Sequence, residues 1–215
     1  NFQMRPLQLK NSPLTRGLKC RDGTGIGGKM AVIGAVLGDI SGSQYEFARP
    51  KDLDWKKCSL FTEHCRFTDD TVMTLAAKTA VINGYSFADS YRMLGRKYRR
   101  AGYGGMFGVW LDHDEQGAYH SFGNGSAMRC SYIGEHFNTE EEVEEWAARS
   151  ADCTHNHPEG IKGAVVTAMC IYMARTGASK SEIRAYVEKQ YPRESYAYSV
   201  AYQLADYRDT YSWDV

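Results

Sequence analysis

The sequence predicts an all-helical domain, and three observations carry that expectation. From Met30 onward apolar residues recur at helical spacing. The segments with that spacing start at capping residues and end at glycines. No stretch alternates apolar and polar residues between hairpin turns, so strands are not expected.

The elements follow in order. Ala31 to Ile40 carries small and apolar residues on most faces, which predicts a buried helix. Thr71 to Asn83 places Val72, Leu75, Ala76, Thr79 and Ile82 on one side, and Gly84 stops it. Ser86 caps a helix bearing Phe87, Tyr91, Leu94 and Tyr98. Ala101 to Ser126 holds seven glycines and reads as irregular; a loop of that length in a compact domain is usually functional or disordered. Thr139 with Glu142 forms a capping box for a helix through Ala151. The acidic run Glu140-Glu141-Glu142 with Glu144-Glu145 reads as its solvated face, favoured by the helix dipole. Pro158 opens a helix to Arg175 that Gly177 closes. Ser179 and Glu182 make a second capping box, and Ser195 to Tyr207 predicts a final helix.

A chain of 215 residues is long enough for one sizeable core. With 26 basic and 26 acidic side chains, no general electrostatic grip on nucleic acid is expected. The longest apolar run, Ala164 to Ala174, is too short to span a bilayer and contains Thr167. Six cysteines are scattered without a CxxC, which predicts reduced, mostly buried thiols and a cytoplasmic protein. Residues 1–29 are rich in Gly, Lys and Arg and lack periodicity, so they are expected to be a flexible leader or tag, with one domain spanning residues 30–215. This leader contains Gly23-Thr24-Gly25-Ile26-Gly27-Gly28, a literal G-x-G-x-x-G. A dinucleotide site needs a buried strand directly before that motif, and Lys19-Cys20-Arg21-Asp22 does not supply one.

Five loci could carry chemistry. Thr68-Asp69-Asp70-Thr71 sets two carboxylates and two hydroxyls at a helix start; these hard oxygen donors suit Mg²⁺, Mn²⁺ or Ca²⁺, and equally suit plain helix capping. Asp39, at the end of a helix, reads as a hydrogen-bonding group, and Glu46 as a free carboxylate on the following loop. Gly102-Tyr103-Gly104-Gly105 bares successive N–H groups able to cradle a diphosphate. Ser121-Phe122-Gly123-Asn124-Gly125-Ser126-Ala127-Met128-Arg129 combines an aromatic ring, close-approach glycines and hydroxyls suited to a nucleoside, or forms a glycine-rich turn. Finally, Thr154-His155-Asn156-His157 ends just before a helix N-terminus, where a histidine is placed to donate to an oxygen rather than to hold zinc.

The order of these loci resembles the ADP-ribosylglycohydrolase family, whose founding members include the dinitrogenase-reductase-activating glycohydrolase. The stretches that carry it are Gly34 to Phe47, Phe67 to Thr71, Tyr103-Gly104-Gly105, Gly123 to Arg129 and His155 to Gly160, and the resemblance covers residues 30–215. It implies an all-α orthogonal bundle, a dinuclear Mg²⁺ or Mn²⁺ centre and an ADP-ribose-bearing substrate. By motif, Thr68, Asp69 and Asp70 are then metal ligands, and Glu46 the acidic loop residue near the scissile bond. Gly102, Gly104 and Gly105 correspond to the diphosphate loop. Ser121, Phe122, Gly123, Asn124, Gly125, Ser126 and Met128 correspond to the adenosine and ribose region, and His157 to a ribose- or phosphate-contacting histidine. Glu46, Asp69 and Asp70 are the candidate catalytic acids. The family also carries a late Asp-x-Asp-Thr motif, which this sequence lacks before Asp214-Val215; Asp206, Asp209 and Thr210 match by residue type alone. The expectation is a C-terminally shortened domain with an incomplete metal site. It acts either as a hydrolase of the C1″ glycosidic bond or as an ADP-ribose-binding module; a metal-dependent phosphohydrolase is the remaining reading.

Overall fold

The computed structural model describes residues 30–46, 54 and 57–192. Residues 1–29, the predicted helix Ser195 to Tyr207, and Asp206, Asp209 and Thr210 lie outside them. The described residues contain helices and no strand: α1 (Ala31–Gly42), α2 (Asp69–Asn83), α3 (Phe87–Lys97), α4 (Gly105–Asp112), α5 (Ser131–His136), α6 (Glu140–Asp152), α7 (Pro158–Thr176) and α8 (Lys180–Gln190). The all-α expectation therefore holds.

Helix ends follow the capping residues. Thr68, Ser86, Thr139 and Ser179 each accept from a backbone N–H of the following first turn. Gly84 and Gly177 close α2 and α7 with φ of 66° and 98°, a left-handed conformation that favours glycine. The box at Ser179 and Glu182 is reciprocal. At Thr139 it is displaced by one residue, because the Glu142 carboxylate accepts from Asn138 N instead.

The long helix α7 packs against α5, α6 and α8, while α2 packs against α1, α3 and α5. The core between these groups is built from Met73, Ala76, Ala77 and Ala80 of α2, Tyr91 of α3, Trp110 and Leu111 of α4, Ile133, Val143, Ala147, Ala168 and Met169. Small residues on α2 let its neighbours approach closely. Each fully buried Leu, Ile or Met side chain in such a core contributes about 1.5–3 kcal/mol of apolar transfer.

Four expectations are corrected. α1 forms, but only Val32 is buried; Ile33 and Leu37 are each nearly half exposed. Among the described residues α1 packs on α2 and α5, and its other faces stay uncovered. On α2 the buried face is rotated from the predicted one, so Leu75 and Ile82 are exposed while Thr71, Met73, Thr74 and Ala77 are buried. The glycine-rich segment 101–126 is not wholly irregular, since α4 lies within it. Phe107, Trp110 and Leu111 anchor α4 at helical spacing, and Gly95 makes room for Leu111: a Cβ there would lie 2.5 Å from Leu111 Cδ2. Arg92 stacks 3.9 Å over the Trp110 ring and donates to the His113 and Gln116 carbonyls, so a cation closes the C-terminal end of α4. The cysteines described are free, as expected, but only Cys130 is buried.

Candidate functional site

A cleft of about 400 Å³ opens between the start of α2, the start of α4 and the loops preceding α5 and α7. Its first wall is acidic. Thr68 is the N-cap of α2, which projects Asp69 and Asp70 from the first turn. The cap is held from behind by Asp39 of α1. One Asp39 oxygen accepts from the Thr68 hydroxyl at 2.6 Å, and the other from the Thr68 and Thr71 N–H groups at 2.8 and 3.2 Å. Asp39 is thus the hydrogen-bonding group expected at the end of its helix, and it serves the start of α2. Thr68 is buried behind the acid pair, with its hydroxyl engaged by Asp39 and by Asp70 N.

Asp69, Asp70 and Glu46 face the cleft together. Burial and the neighbouring charges of Asp70, Glu46 and Asp39 push the Asp69 carboxyl up to about 6. Burial, Asp39 and Glu46 push Asp70 in the same direction. Crowded carboxylates that resist ionisation are the donor chemistry a hard divalent cation relieves. Among the described residues no cluster of three or more His, Cys, Asp and Glu is arranged to hold an ion, so Asp69 and Asp70 are a pair and not a complete cage.

The second wall presents donors. Asp69 N donates to Ala101 O at 2.9 Å, tying the acids to the glycine loop. Gly102 has φ of 109°, and a Cβ there would lie 3.4 Å from Asp69 Oδ1, so glycine suits both its conformation and its position. Gly104 is the N-cap of α4 and lacks a side-chain cap, which leaves the first amides of α4 directed at the cleft that Gly102, Gly104 and Gly105 line. An uncapped helix start lined by glycines binds anions well.

The third wall is the loop before α5. Ser121, Gly123, Asn124, Gly125, Met128 and Arg129 line it, with His155 beneath. The Ser121 hydroxyl accepts from Gly123 N and holds the turn. Thr74 Oγ1 donates to Met128 O and ties this loop to α2. Two residues of the motif turn elsewhere. Ser126 is buried and donates to Gly160 O at 2.7 Å. Phe122 is 74% exposed and packs its ring 5.3 Å from that of His157. His157 caps α7 by accepting from Glu159 N, and it stands outside the cleft lining. His155 takes the place on the wall that the motif alone suggested for His157. Both histidines precede the same helix, so spacing does not separate them; the distinguishing feature is the buried partner Arg129, far away in sequence.

Arg129 and Tyr119 also line the cleft; the sequence showed Arg129 only as the end of its motif, with no role, and did not mark Tyr119. Arg129 is fully buried, lies 3.9 Å over the Tyr91 ring, and donates to Ser150 O and Thr154 Oγ1, each at 2.8 Å. Burial together with the Arg129 charge pushes His155 down to about 4, so it is neutral near pH 7.

A helical scaffold that gathers a carboxylate pair, an uncapped helix N-terminus and a glycine-rich loop around one cleft can hold a hard cation beside a phosphate-bearing ligand. Comparison with known proteins places the helical scaffold in a family. The family model for ADP-ribosylglycohydrolase matches residues 28–213, and the chain belongs to this family. It is similar to the ADP-ribosylhydrolase ARH3 of Bos taurus and of Homo sapiens, each 28% identical over 181 aligned positions that cover 69% of this chain and 50% of the relative. It is also similar to the ADP-ribosylhydrolase ARH3 of Danio rerio, at 26% identity with 69% and 47% covered. The chain therefore spans about half the length of the curated relatives it matches. No helix among the described residues is long and apolar enough to cross a membrane.

Proposed function

We propose that this protein is a hydrolase that removes ADP-ribose from an ADP-ribosylated protein, nucleic acid or small molecule by metal-assisted cleavage of the C1″ glycosidic bond. The observation that carries the reading is the sharing of one cleft by Asp69, Asp70 and Glu46 with the glycine-lined start of α4. Family membership and the names of the relatives support it.

Asp69 and Asp70 would hold a Mg²⁺ or Mn²⁺ ion, with the remaining lone pair of the Thr68 hydroxyl as a third oxygen. Such an ion supplies orientation of ribose hydroxyls and a water of lowered pKa. The chain's own residues do the rest. Gly102, Gly104, Gly105 and the first amides of α4 hold the diphosphate. Gly123, Asn124, Gly125 and Met128 shape the walls around the nucleoside. These contacts fix the ribose relative to the acids, which lowers the entropic part of the barrier. Glycoside cleavage builds positive charge on the sugar ring, and the adjacent carboxylates of Glu46, Asp69 and Asp70 stabilise it electrostatically. Glu46, Asp69 and Asp70 are the candidates for the general base, and the one that serves is the carboxylate within hydrogen-bond reach of the attacking water.

The test is release of free ADP-ribose from ADP-ribosylated arginine, serine or nucleic-acid substrates, with and without Mg²⁺. Mg²⁺-dependent release is expected. Tight ADP-ribose binding without turnover at any metal concentration identifies a binding module instead, and phosphate release from nucleotides identifies a phosphohydrolase.

A further inference from the structure

Under the third wall lies a chain of three side chains from two parts of the sequence. Arg129 Nη2 donates to Thr154 Oγ1 at 2.8 Å, and Thr154 Oγ1 lies 2.8 Å from His155 Nδ1. Each of the three is buried. Arg129 can only donate, so one lone pair of the threonine oxygen is always taken. The hydroxyl has a single proton and three possible acceptors: His155 Nδ1, the Ala151 carbonyl and the Cys153 thiol, whose sulfur is the weakest of them. His155 Nδ1 is at 2.8 Å; the Ala151 carbonyl is at 3.5 Å and already accepts from Thr154 N and His155 N at 3.0 and 2.7 Å. Distance and the saturation of that carbonyl both send the proton to Nδ1. The guanidinium polarises the hydroxyl and strengthens it as a donor.

We propose that Arg129 and Thr154 lock His155 in its Nε2–H tautomer, so that the ring offers the cleft a permanent hydrogen-bond donor for an acceptor oxygen of the bound nucleotide. Arg129 and Thr154 are then positioning residues acting through His155. The opposite end of the ring has the required aim. A Cβ on Gly125 would lie 3.0 Å from His155 Nε2, and one on Gly123 would lie 3.8 Å away, so Nε2 faces the glycine loop that lines the cleft. Nε2 has no protein partner among the described residues, whereas Nδ1 is satisfied. The groups facing the imidazole are the Arg129 guanidinium and the Tyr119 ring, 6.0 Å between ring centroids. No carboxylate near it favours the imidazolium among the described residues, and burial beside a cation disfavours it. A donor that does not titrate near neutrality keeps the same polarity whether the acceptor is a phosphate or a sugar oxygen.

The lock itself is read on the free protein, while its use by a nucleotide rests on the function proposed above. Uniformly ¹⁵N-labelled protein is examined by long-range ¹H–¹⁵N correlation of the imidazoles, with His155 assigned by its loss in His155→Gln. The expected spectrum has a protonated Nε2 and a bare Nδ1 from pH 6 to 8. Thr154→Val removes the hydroxyl at constant shape; it is expected to give a tautomer mixture and an ADP-ribose affinity about five- to tenfold weaker, the scale of one hydrogen bond. Thr154→Ser is expected to restore both readings. A wild-type Nδ1–H ring overturns the lock, as does a Thr154→Val ring that keeps the wild-type tautomer. If wild-type protein fails to bind ADP-ribose, the nucleotide reading falls, and the ring nitrogens still decide the lock.

Discussion

The two ends of the cleft are charged in opposite senses, and neither balances its charge locally. At the start of α2, Asp69 and Asp70 stand together with Glu46 nearby and Asp39 behind. Beneath the loop before α5, Arg129 is buried with no carboxylate pairing it among the described residues; it relies on π faces, the Ser150 carbonyl and a hydroxyl. The acid end is held by capping bonds and stays within reach of solvent. The basic end is buried, hydrogen-bonded to α6 and the turn after it, and stacked on Tyr91 of α3. The acids crowd charge of one sign at the cleft, whereas the Arg129 guanidinium is held through Nη2 by Ser150 and Thr154, its buried Nε unpaired among the described residues, and it acts on His155 through Thr154. Substitutions at the two ends should therefore differ in what they damage.

The largest effect is expected on chemistry at the acid end. Asp69→Ala with Asp70→Ala should lower Mg²⁺-dependent ADP-ribose release by about a thousandfold or more, since an interaction made with the reacting centre is removed. Far-ultraviolet circular dichroism should stay that of the wild type, because neither side chain belongs to the core. Normal turnover in that variant rejects the metal-site reading; loss of the helical spectrum means the pair serves α2 as a structural cap.

At the basic end the damage should be to stability. Arg129→Ala empties one of the largest fully buried side-chain volumes and removes the donor to Thr154 Oγ1, while Ser150 O still accepts from the Tyr91 hydroxyl, at a cost of roughly 3 kcal/mol by urea unfolding. A cost below the error of the measurement contradicts the contrast between the two ends.

How much of this was legible in the sequence divides along the same line. Local signals were mostly readable: Ser86, Thr139 and Ser179 cap, Gly84 and Gly177 terminate, and Pro158 opens α7, while α2 starts at Asp69, two residues before the predicted Thr71. Capping is decided within four residues, so pattern suffices. The acid pair and the glycine loops were visible as motifs for the same reason, and they meet in one cleft. What was not legible depends on tertiary partners. The rotation of the buried face of α2 is set by which helices lie beside it. The helix inside the glycine-rich segment depends on Arg92 and Gly95, contributed by α3. The choice between His155 and His157 depends on Arg129, which no local pattern connects to either.

His155 supplies a pH test of the basic end. Its folded pKa, about 4, lies below the unfolded 6.5, so the fold favours the neutral ring. The associated stability is fully present above pH 6.5 and is lost as pH falls through 4. Wild-type protein should lose up to roughly 3 kcal/mol from this group across that window. His155→Gln should flatten the pH profile of urea unfolding by that amount. An unchanged profile removes His155 as the buried titrating group.

The smallest effect has the opposite sign and is expected at the acid end. The Asp69 carboxyl is raised in the fold, from 3.8 to about 6, by burial and by its neighbours. Its contribution is therefore fully present below pH 3.8 and is lost as pH rises through about 6, where ionisation adds a charge beside Asp70 and Glu46. In the chelated protein at pH 8, Asp69→Asn should thus stabilise the fold by about 1 kcal/mol, discounted for the access of solvent to the cleft. The same change should abolish most turnover, because a neutral amide neither accepts a proton nor attracts a cation as a carboxylate does. Added Mg²⁺ should raise the unfolding midpoint of the wild type and leave that of Asp69→Asn nearly unmoved. Destabilisation by Asp69→Asn at pH 8, or an equal response of both proteins to Mg²⁺, would mean that the charge on Asp69 is already compensated by the protein, and that the acid end, like the arginine, has its partners built in.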